Sequence, residues 1–240
     1  MIRSVMKRTI RALPLSVIFC VAVVAGCSSN GRRSSLPAEK ADGWRLLFDG
    51  KTTAGWRGYG KPEFPNRGWV IEDGCLHLLP NSNGGDIITQ AEFTDYQLEW
   101  EWRIAPKANN GLKYLVTESR PDAPGHEYQM IDDATVPNPL QQTASFYDVL
   151  PVQKKTHVNP PGQWNQSRVL IRGNHVEHWL NGEKVLEYEL GSPEVKAAVA
   201  KSKFKNAAGF GEKIKGHIML TDHHDETWYR HIRIRELPSP

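Results

Sequence analysis

From residue 43 onward the chain alternates apolar and polar positions in short runs broken by Gly, Asn, Asp and Pro. A period of two marks strands that bury one face, and frequent turn formers imply hairpins rather than helical crossovers. The plainest run is 96–104, where Tyr96, Leu98, Trp100, Trp102 and Ile104 fall on one side and Gln97, Glu99, Glu101 and Arg103 on the other. Residues 69–72 and 75–78 flank Asp73-Gly74, a pair that tolerates the positive φ of a two-residue hairpin turn. Runs at 168–172, 175–180 and 184–188, joined by Gly173-Asn174 and Asn181-Gly182, predict a three-stranded meander. One stretch reads as helical: 195–201, behind Ser192 as N-cap and Pro193 at the first helical position. One helix among many strands predicts an all-β sandwich.

The first residues break this pattern. Arg3, Lys7, Arg8 and Arg11 precede an apolar run from Leu13 to Val24 that closes on Val24-Ala25-Gly26-Cys27. Basic, apolar and small-residue regions in that order form an export signal, and a run of about a dozen residues is short of the roughly 20 needed to cross a bilayer. The Val-Ala-Gly-Cys tail resembles the lipobox of bacterial lipoproteins. That resemblance implies cleavage after residue 26, acylation of Cys27 as lipid attachment point, and, with Ser28 rather than Asp next to it, residence at the outer membrane. The expected organisation is a signal peptide (1–26), a solvated tether rich in Ser, Gly and charge (27–42) and one domain (43–240).

Loss of the leader changes the electrostatic picture, because it takes four basic residues and turns a formal charge of +3 into −1. No Lys/Arg stripe follows, so the chain lacks the electrostatic footprint of a nucleic-acid binder. With Cys20 lost and Cys27 acylated, Cys75 has no partner and no internal disulfide is available. The fold must rest on its core, for which about 200 residues suffice.

Several local motifs now combine. Trp44-Arg-Leu-Leu-Phe-Asp-Gly-Lys51 with Gly55-Trp56, Asn109-Asn-Gly111, Glu127-Tyr-Gln129 with Asp132-Asp133, Trp164-Asn165, His178-Trp-Leu-Asn-Gly182, Asp222-His223 and Tyr229-Arg-His-Ile-Arg-Ile234 follow one another in register. In that order they resemble the 3-keto-disaccharide hydrolase domain family over residues 43–237. The resemblance implies a concanavalin-like jelly-roll β-sandwich of two antiparallel sheets, as in laminin-G domains, and an activity on sugars oxidised at C3. Three positions depart from the family pattern: Thr221 stands where Gln is usual, His224 where Gly is usual and His231 where Asn is usual.

A ketone at C3 acidifies the C2 proton and sets the C1 leaving group β to the carbonyl, so the glycosidic bond can break by elimination. Water then adds back to the enone. Such a site needs a base for C2–H, a positive group or metal at the C3 oxygen, and an acid for the departing oxygen. Alternation turns Glu127 and Gln129 away from the core face of Tyr128 and Met130. It does the same for Lys113 against Leu112, Tyr114 and Val116, and for His217, Met219, Thr221 and His223 against Ile218 and Leu220. Alternation by itself leaves these as solvated surface residues; it is the family resemblance that implies Glu127, His223 and Lys113 as the catalytic group, joined by His178 from the family motif alone. His178 shares its face with Val176 and Leu180 and also reads as a core histidine. Gln129, Asp132, Tyr147 and Asn165 are the expected substrate contacts, and Trp100 and Trp102 read as core. Glu127, Asp132, His178 and His223 are candidate ligands for a divalent metal, although no compact ligand spacing supports one. The expected function is hydrolysis of 3-keto-glycosides in the cell envelope; a non-catalytic, lectin-like carbohydrate-binding protein is the alternative on the same fold.

Overall fold

The computed structural model describes residues 42–240; the leader, Cys27 and all of the tether except Asp42 lie outside the described residues. Among the described residues, thirteen strands and one helix follow in order: β1 (Arg45–Leu46), β2 (Trp56–Gly58), β3 (Trp69–Glu72), β4 (Cys75–Leu78), β5 (Ile87–Thr89), β6 (Tyr96–Ile104), β7 (Asn109–Val116) and β8 (His126–Ile131). After a long loop with two 3-10 turns come β9 (Asn165–Arg172), β10 (His175–Leu180), β11 (Glu183–Glu189), α1 (Pro193–Val199), β12 (His217–Leu220) and β13 (Thr227–Glu236). The larger sheet runs β11-β10-β9-β6-β13-β4-β3, with β1 also on β13, and the smaller runs β2-β5-β12-β7-β8. Every pairing is antiparallel, giving the two-sheet jelly-roll sandwich with one short helix.

Alternation builds this architecture directly. In β6 all five apolar residues are buried in the core, while Glu99, Glu101 and Gln97 bind Arg233, Arg230 and Arg235 of β13 on the outer face. The Asp73-Gly74 and Asn181-Gly182 turns hold positive φ at both residues (49° and 74°; 48° and 86°), and the β9-β10-β11 meander forms as expected. Ser192 caps α1 by accepting from the Val195 amide at 3.2 Å. The helix ends at Val199, two residues before the expected stop.

Two departures matter for the site. Val116 does not join the core face of Leu112 and Tyr114; it lies with Ile88 and Met219 on the outer side of the small sheet. The cause is a bulge: Leu115 has φ +51°, and the β12 register slips between His217 and Met219. An inserted residue reverses the facing of everything beyond it. The second departure concerns the unusual histidines: His224 (φ +68°) and His231 (φ +52°) hold the left-handed conformation that Gly or Asn adopts with least strain.

Candidate active site

Because Leu112, Tyr114, Tyr128, Met130, Ile218 and Leu220 enter the core, their neighbours project from the opposite face of the small sheet. The β7-β8 register sets Lys113 opposite Glu127 and Gly111 opposite Gln129, and β12 lies on the other side of β7 with Met219 opposite Lys113. Just past β12, Asp222 shapes the turn that delivers His223. Its carboxylate accepts from the Gly85 amide (2.8 Å) and the His224 amide (2.9 Å), and its own amide donates to Asp86 (2.8 Å).

These elements bring three of the expected groups together. Lys113 Nζ lies 3.8 Å from Oε2 of Glu127, and His223 Nε2 lies 3.9 Å from Oε1. Both are ion-pair separations, longer than direct hydrogen bonds. Glu127 is only 6 % exposed. Burial alone pushes its carboxyl up, but His223 and the positive charges of Lys113 and Lys203 outweigh burial and hold it below the usual carboxylate value. The carboxylate lies directly over Gly111. Gly111 is itself pinned, its amide 2.7 Å from Oδ1 of Asn110 and 3.0 Å from Oγ1 of Thr221. Asn110 also accepts from the Tyr229 hydroxyl (2.9 Å) and donates to Thr227 (2.9 Å), so a fully buried amide holds the floor of the site.

Tyr147 also belongs here. Its amide donates to the carbonyl of Glu127 at 3.1 Å, laying the loop after β8 along that strand. Burial raises the Tyr147 phenol, and the charges of Glu127 and Asp148 add to that. Over its ring, 4.2 Å from the centroid, stands the ammonium of Lys203. Lys203 follows α1 in a loop anchored by its own amide, which donates to Asp148 at 2.7 Å. Sequence reasoning missed this lysine, since no periodic face or motif contains it. Gln129 shares the outer face but sits beneath the covering loop. Its Nε2 donates to the Gln141 carbonyl at 3.2 Å, while its buried Oε1 has no protein partner among the described residues.

Other expected residues lie elsewhere. His178 is fully buried between the sheets, with Nε2 2.7 Å from the Tyr114 hydroxyl and Nδ1 2.8 Å from the Ala144 carbonyl. Burial lowers its pKa to about 4. It is the core histidine that its alternation with Val176 and Leu180 described, and its expected catalytic role is corrected. Asn165 closes a loop: it exchanges hydrogen bonds with the backbone of Asn159 (2.9 and 3.1 Å) and accepts from Asn181 (2.8 Å) on the large sheet. Asp132 holds backbone amides of Lys107 (2.9 Å) and Ala134 (3.2 Å). Neither faces Glu127, so both move from the substrate contacts to loop structure.

The four candidate metal ligands accordingly do not converge, and the Glu127–His223 pair that remains has a lysine ammonium against it. Among the described residues, the one group of three ligand atoms within 4.8 Å of each other is His175, Glu177 and Glu187. It lies on the large sheet, where Lys184 already bridges Glu177 (3.4 Å) and Glu187 (2.5 Å).

Comparison with known proteins bears on the same region. Residues 43–235 match the model of the 3-keto-alpha-glucoside-1,2-lyase-like domain. A 3-keto-disaccharide hydrolase of Bacteroides thetaiotaomicron is 34% identical over 238 residues, covering 84% of this chain and 81% of that protein. Two crystal structures of provisionally assigned glycosyl hydrolases from Parabacteroides distasonis are similar in fold. One, 34% identical, has a TM-score of 0.74 and covers 83% of this chain and 96% of its own. The other is 25% identical, with a TM-score of 0.66 and coverages of 81% and 99%.

Proposed function

The chain belongs to the 3-keto-alpha-glucoside-1,2-lyase-like domain family, and on that premise we propose that it cleaves the glycosidic bond of 3-keto-disaccharides or related 3-keto-glycosides. The observation that carries the reading is the ionised, shielded carboxylate of Glu127 held between Lys113 and His223. Glu127 takes the C2 proton, and the electron pair left behind becomes an enolate on the C3 oxygen. The Lys113 ammonium lies beside the base and stabilises that charge as it develops. The enolate collapses to a C1=C2 double bond and expels the C1 oxygen, which takes a proton from His223. Water then adds at C1 while C2 regains its proton, and the sum is hydrolysis.

The groups acting on Glu127 are basic: His223, Lys113 and Lys203. A glycosidase working through an oxocarbenium ion instead sets two carboxyl groups about 5–9.5 Å apart across the bond. Basic neighbours suit proton abstraction and an enolate. The leader and lipobox support a further reading, that the enzyme works in the cell envelope, lipid-anchored at Cys27.

The test is turnover of a 3-keto-disaccharide in D2O. Deuterium at C2 of the released 3-keto sugar, above that of an enzyme-free control, supports the elimination route, and the unoxidised disaccharide should be inert. Brisk cleavage of the unoxidised sugar with no label at C2 would overturn the route. Binding without cleavage of either would favour the lectin-like alternative. Full activity in EDTA would leave the enolate oxygen to Lys113; activity lost and restored by one divalent ion would assign that role to a metal.

A further inference from the structure

The loop after β8 pairs with that strand and so brings one more side chain up to the base. Tyr128 and Phe146 face each other across an antiparallel bridge, and both are buried in the core. Their neighbours Glu127 and Tyr147 therefore stand side by side on the outer face, where directly opposed side chains have Cβ atoms about 5 Å apart. Two amides fix this register, that of Tyr147 on the Glu127 carbonyl (3.1 Å) and that of Gln129 on the Ser145 carbonyl (3.3 Å). Tyr147 thus extends the outward row of Met219, Lys113 and Glu127 by one position.

Lys203 fixes the side to which the ring leans. Its ammonium lies 4.2 Å from the centroid of Tyr147 and 5.1 Å from that of Phe204, and it borders a depression with residues 120–123 of the turn that joins β7 to β8. The β12 register, His217 opposite Val116 and Leu220 opposite Leu112, carries His223 away from that turn. Lys113 and the Tyr147 ring accordingly lie on the turn side of Glu127 and His223 on the far side. In a 3-keto sugar C2 lies between C1 and C3. With His223 at the C1 oxygen and Glu127 at C2, the C3 oxygen faces the turn side. Burial raises the Tyr147 phenol, the charges of Glu127 and Asp148 add to it, and the hydroxyl remains a protonated donor with no protein partner among the described residues. Lys203 is anchored through its amide to Asp148 (2.7 Å), and among the described residues its ammonium rests on aromatic rings with no carboxylate partner.

We propose that Tyr147 is a further catalytic residue, whose hydroxyl donates to the C3 oxygen beside Lys113 as the enolate forms, and that Lys203 is the positioning residue that holds its ring there. The inference rests on the elimination reaction proposed at Glu127. Tyr147 keeps its proton throughout. The C2–H electron pair becomes the C2=C3 bond, charge gathers on the C3 oxygen between ammonium and phenol, and it leaves that oxygen when the C1–O bond breaks. A donor already in place where charge develops needs no reorganisation at that moment.

The test separates enolisation from departure of the leaving group. Cleavage is followed with a 3-keto-disaccharide, and enolisation alone with the 3-keto derivative of 1,5-anhydroglucitol, which carries no glycosidic oxygen at C1, by deuterium uptake at C2 in D2O above an enzyme-free control. Tyr147→Phe keeps the ring and its packing; it should lower kcat for cleavage and the exchange rate alike by about a hundredfold, the effect of one lost oxyanion donor, with KM little changed. Lys203→Met should lower both about tenfold, Lys203→Arg should recover most of that because a cation returns to the ring, and Lys203→Met should add little to Tyr147→Phe. Rates are compared at about pH 7.5, above the ordinary carboxylate range, so that the effect of Lys203 on Glu127 ionisation does not enter. Exchange that stays at the wild-type rate in folded Tyr147→Phe, or a loss confined to KM, would overturn the catalytic role. An undiminished effect of Lys203→Met in the Tyr147→Phe protein would overturn the positioning role. A wild-type protein that neither cleaves the first sugar nor exchanges the second would instead overturn the elimination reaction, and Tyr147 with it.

Discussion

Gly111 makes room for Glu127: a Cβ at position 111 would stand 2.2 Å from Oε1 and 2.7 Å from the carboxyl carbon. The clash is with the working end of the side chain, and Gly111 cannot retreat because Asn110 and Thr221 hold its amide. Gly111→Ala should therefore leave a folded protein whose carboxylate is displaced. Turnover should fall about a hundredfold, as small misplacements of a reacting group commonly do. Normal turnover in a folded Gly111→Ala protein would show that Glu127 has another position from which to act.

Glu127→Gln removes the charge but keeps the shape. If Glu127 is the base, turnover should drop at least about a hundredfold while circular dichroism and the unfolding midpoint stay near wild type. Loss of the fold would make Glu127 a structural partner of Lys113, and unchanged turnover would remove it from the chemistry.

Much of this arrangement is legible in the amino-acid sequence wherever strict alternation meets a regular strand. β6 reads off residue by residue, and so do the outward positions of Lys113, between Leu112 and Tyr114, and Glu127, next to Tyr128, because core residues claim the opposite face. His223 lies past the end of β12, between Asp222 and His224, and is reached only by extending the alternation of Ile218 and Leu220. Reading fails where the backbone leaves its period. Alternation misassigns Val116 because the bulge at Leu115 has no signature in side-chain polarity. Lys203 is invisible to it because its place depends on a loop anchored through its amide to Asp148, a contact remote in the chain. His178 fails differently: its apolar face reads correctly, and the motif resemblance then draws it into the site. The same resemblance places Asn165 and Asp132 there, although loop geometry accounts for both.

The buried histidines predict how the fold responds to acid. Burial lowers His126 to about 3 and His178 to about 4, each below its ordinary value of 6.5. The unfolded chain then binds protons more readily than the folded one, so stability is full above about pH 6.5 and declines as pH falls toward the folded-state values. Urea unfolding should show lower midpoints at about pH 5 than at about pH 7.5. His178→Gln should weaken that dependence while costing stability at neutral pH, since Gln cannot serve both Tyr114 and Ala144 equally well. A midpoint that changes as steeply with pH in the variant would refute the assignment.

For the segment outside the described residues the prediction is chemical. Metabolic labelling with a fatty-acid analogue should tag the protein, and Cys27→Ser should abolish the tag. A labelled Cys27→Ser protein, or an unlabelled wild type, would contradict lipid anchoring at Cys27.

The pairing of Lys113 with Glu127 gives two effects that one pH profile separates. Burial pushes the Glu127 carboxyl up, yet His223, Lys113 and Lys203 bring it below its ordinary 4.5. A base must be ionised to work, so the acid limb of kcat/KM in the wild-type protein should lie below about pH 4.5, with Glu127 fully competent above it. Lys113→Met leaves burial less opposed, and the limb should move to higher pH. The plateau above the limb reports something else: with the ammonium gone, the developing enolate loses its nearest cation, so the plateau should fall by about two to three orders of magnitude. Lys113→Arg should return the limb toward its wild-type position because the charge is restored. Its plateau should stay lower if the enolate oxygen requires the compact ammonium rather than a planar guanidinium. Since the buried histidines weaken the fold in the same acid range, circular dichroism must accompany each point, and only pH values at which the protein is folded count toward the limb. A limb that does not move in folded Lys113→Met would mean that His223 and Lys203 suffice to hold Glu127 ionised. A plateau that does not fall would remove Lys113 from the enolate oxygen and leave that position to another cation.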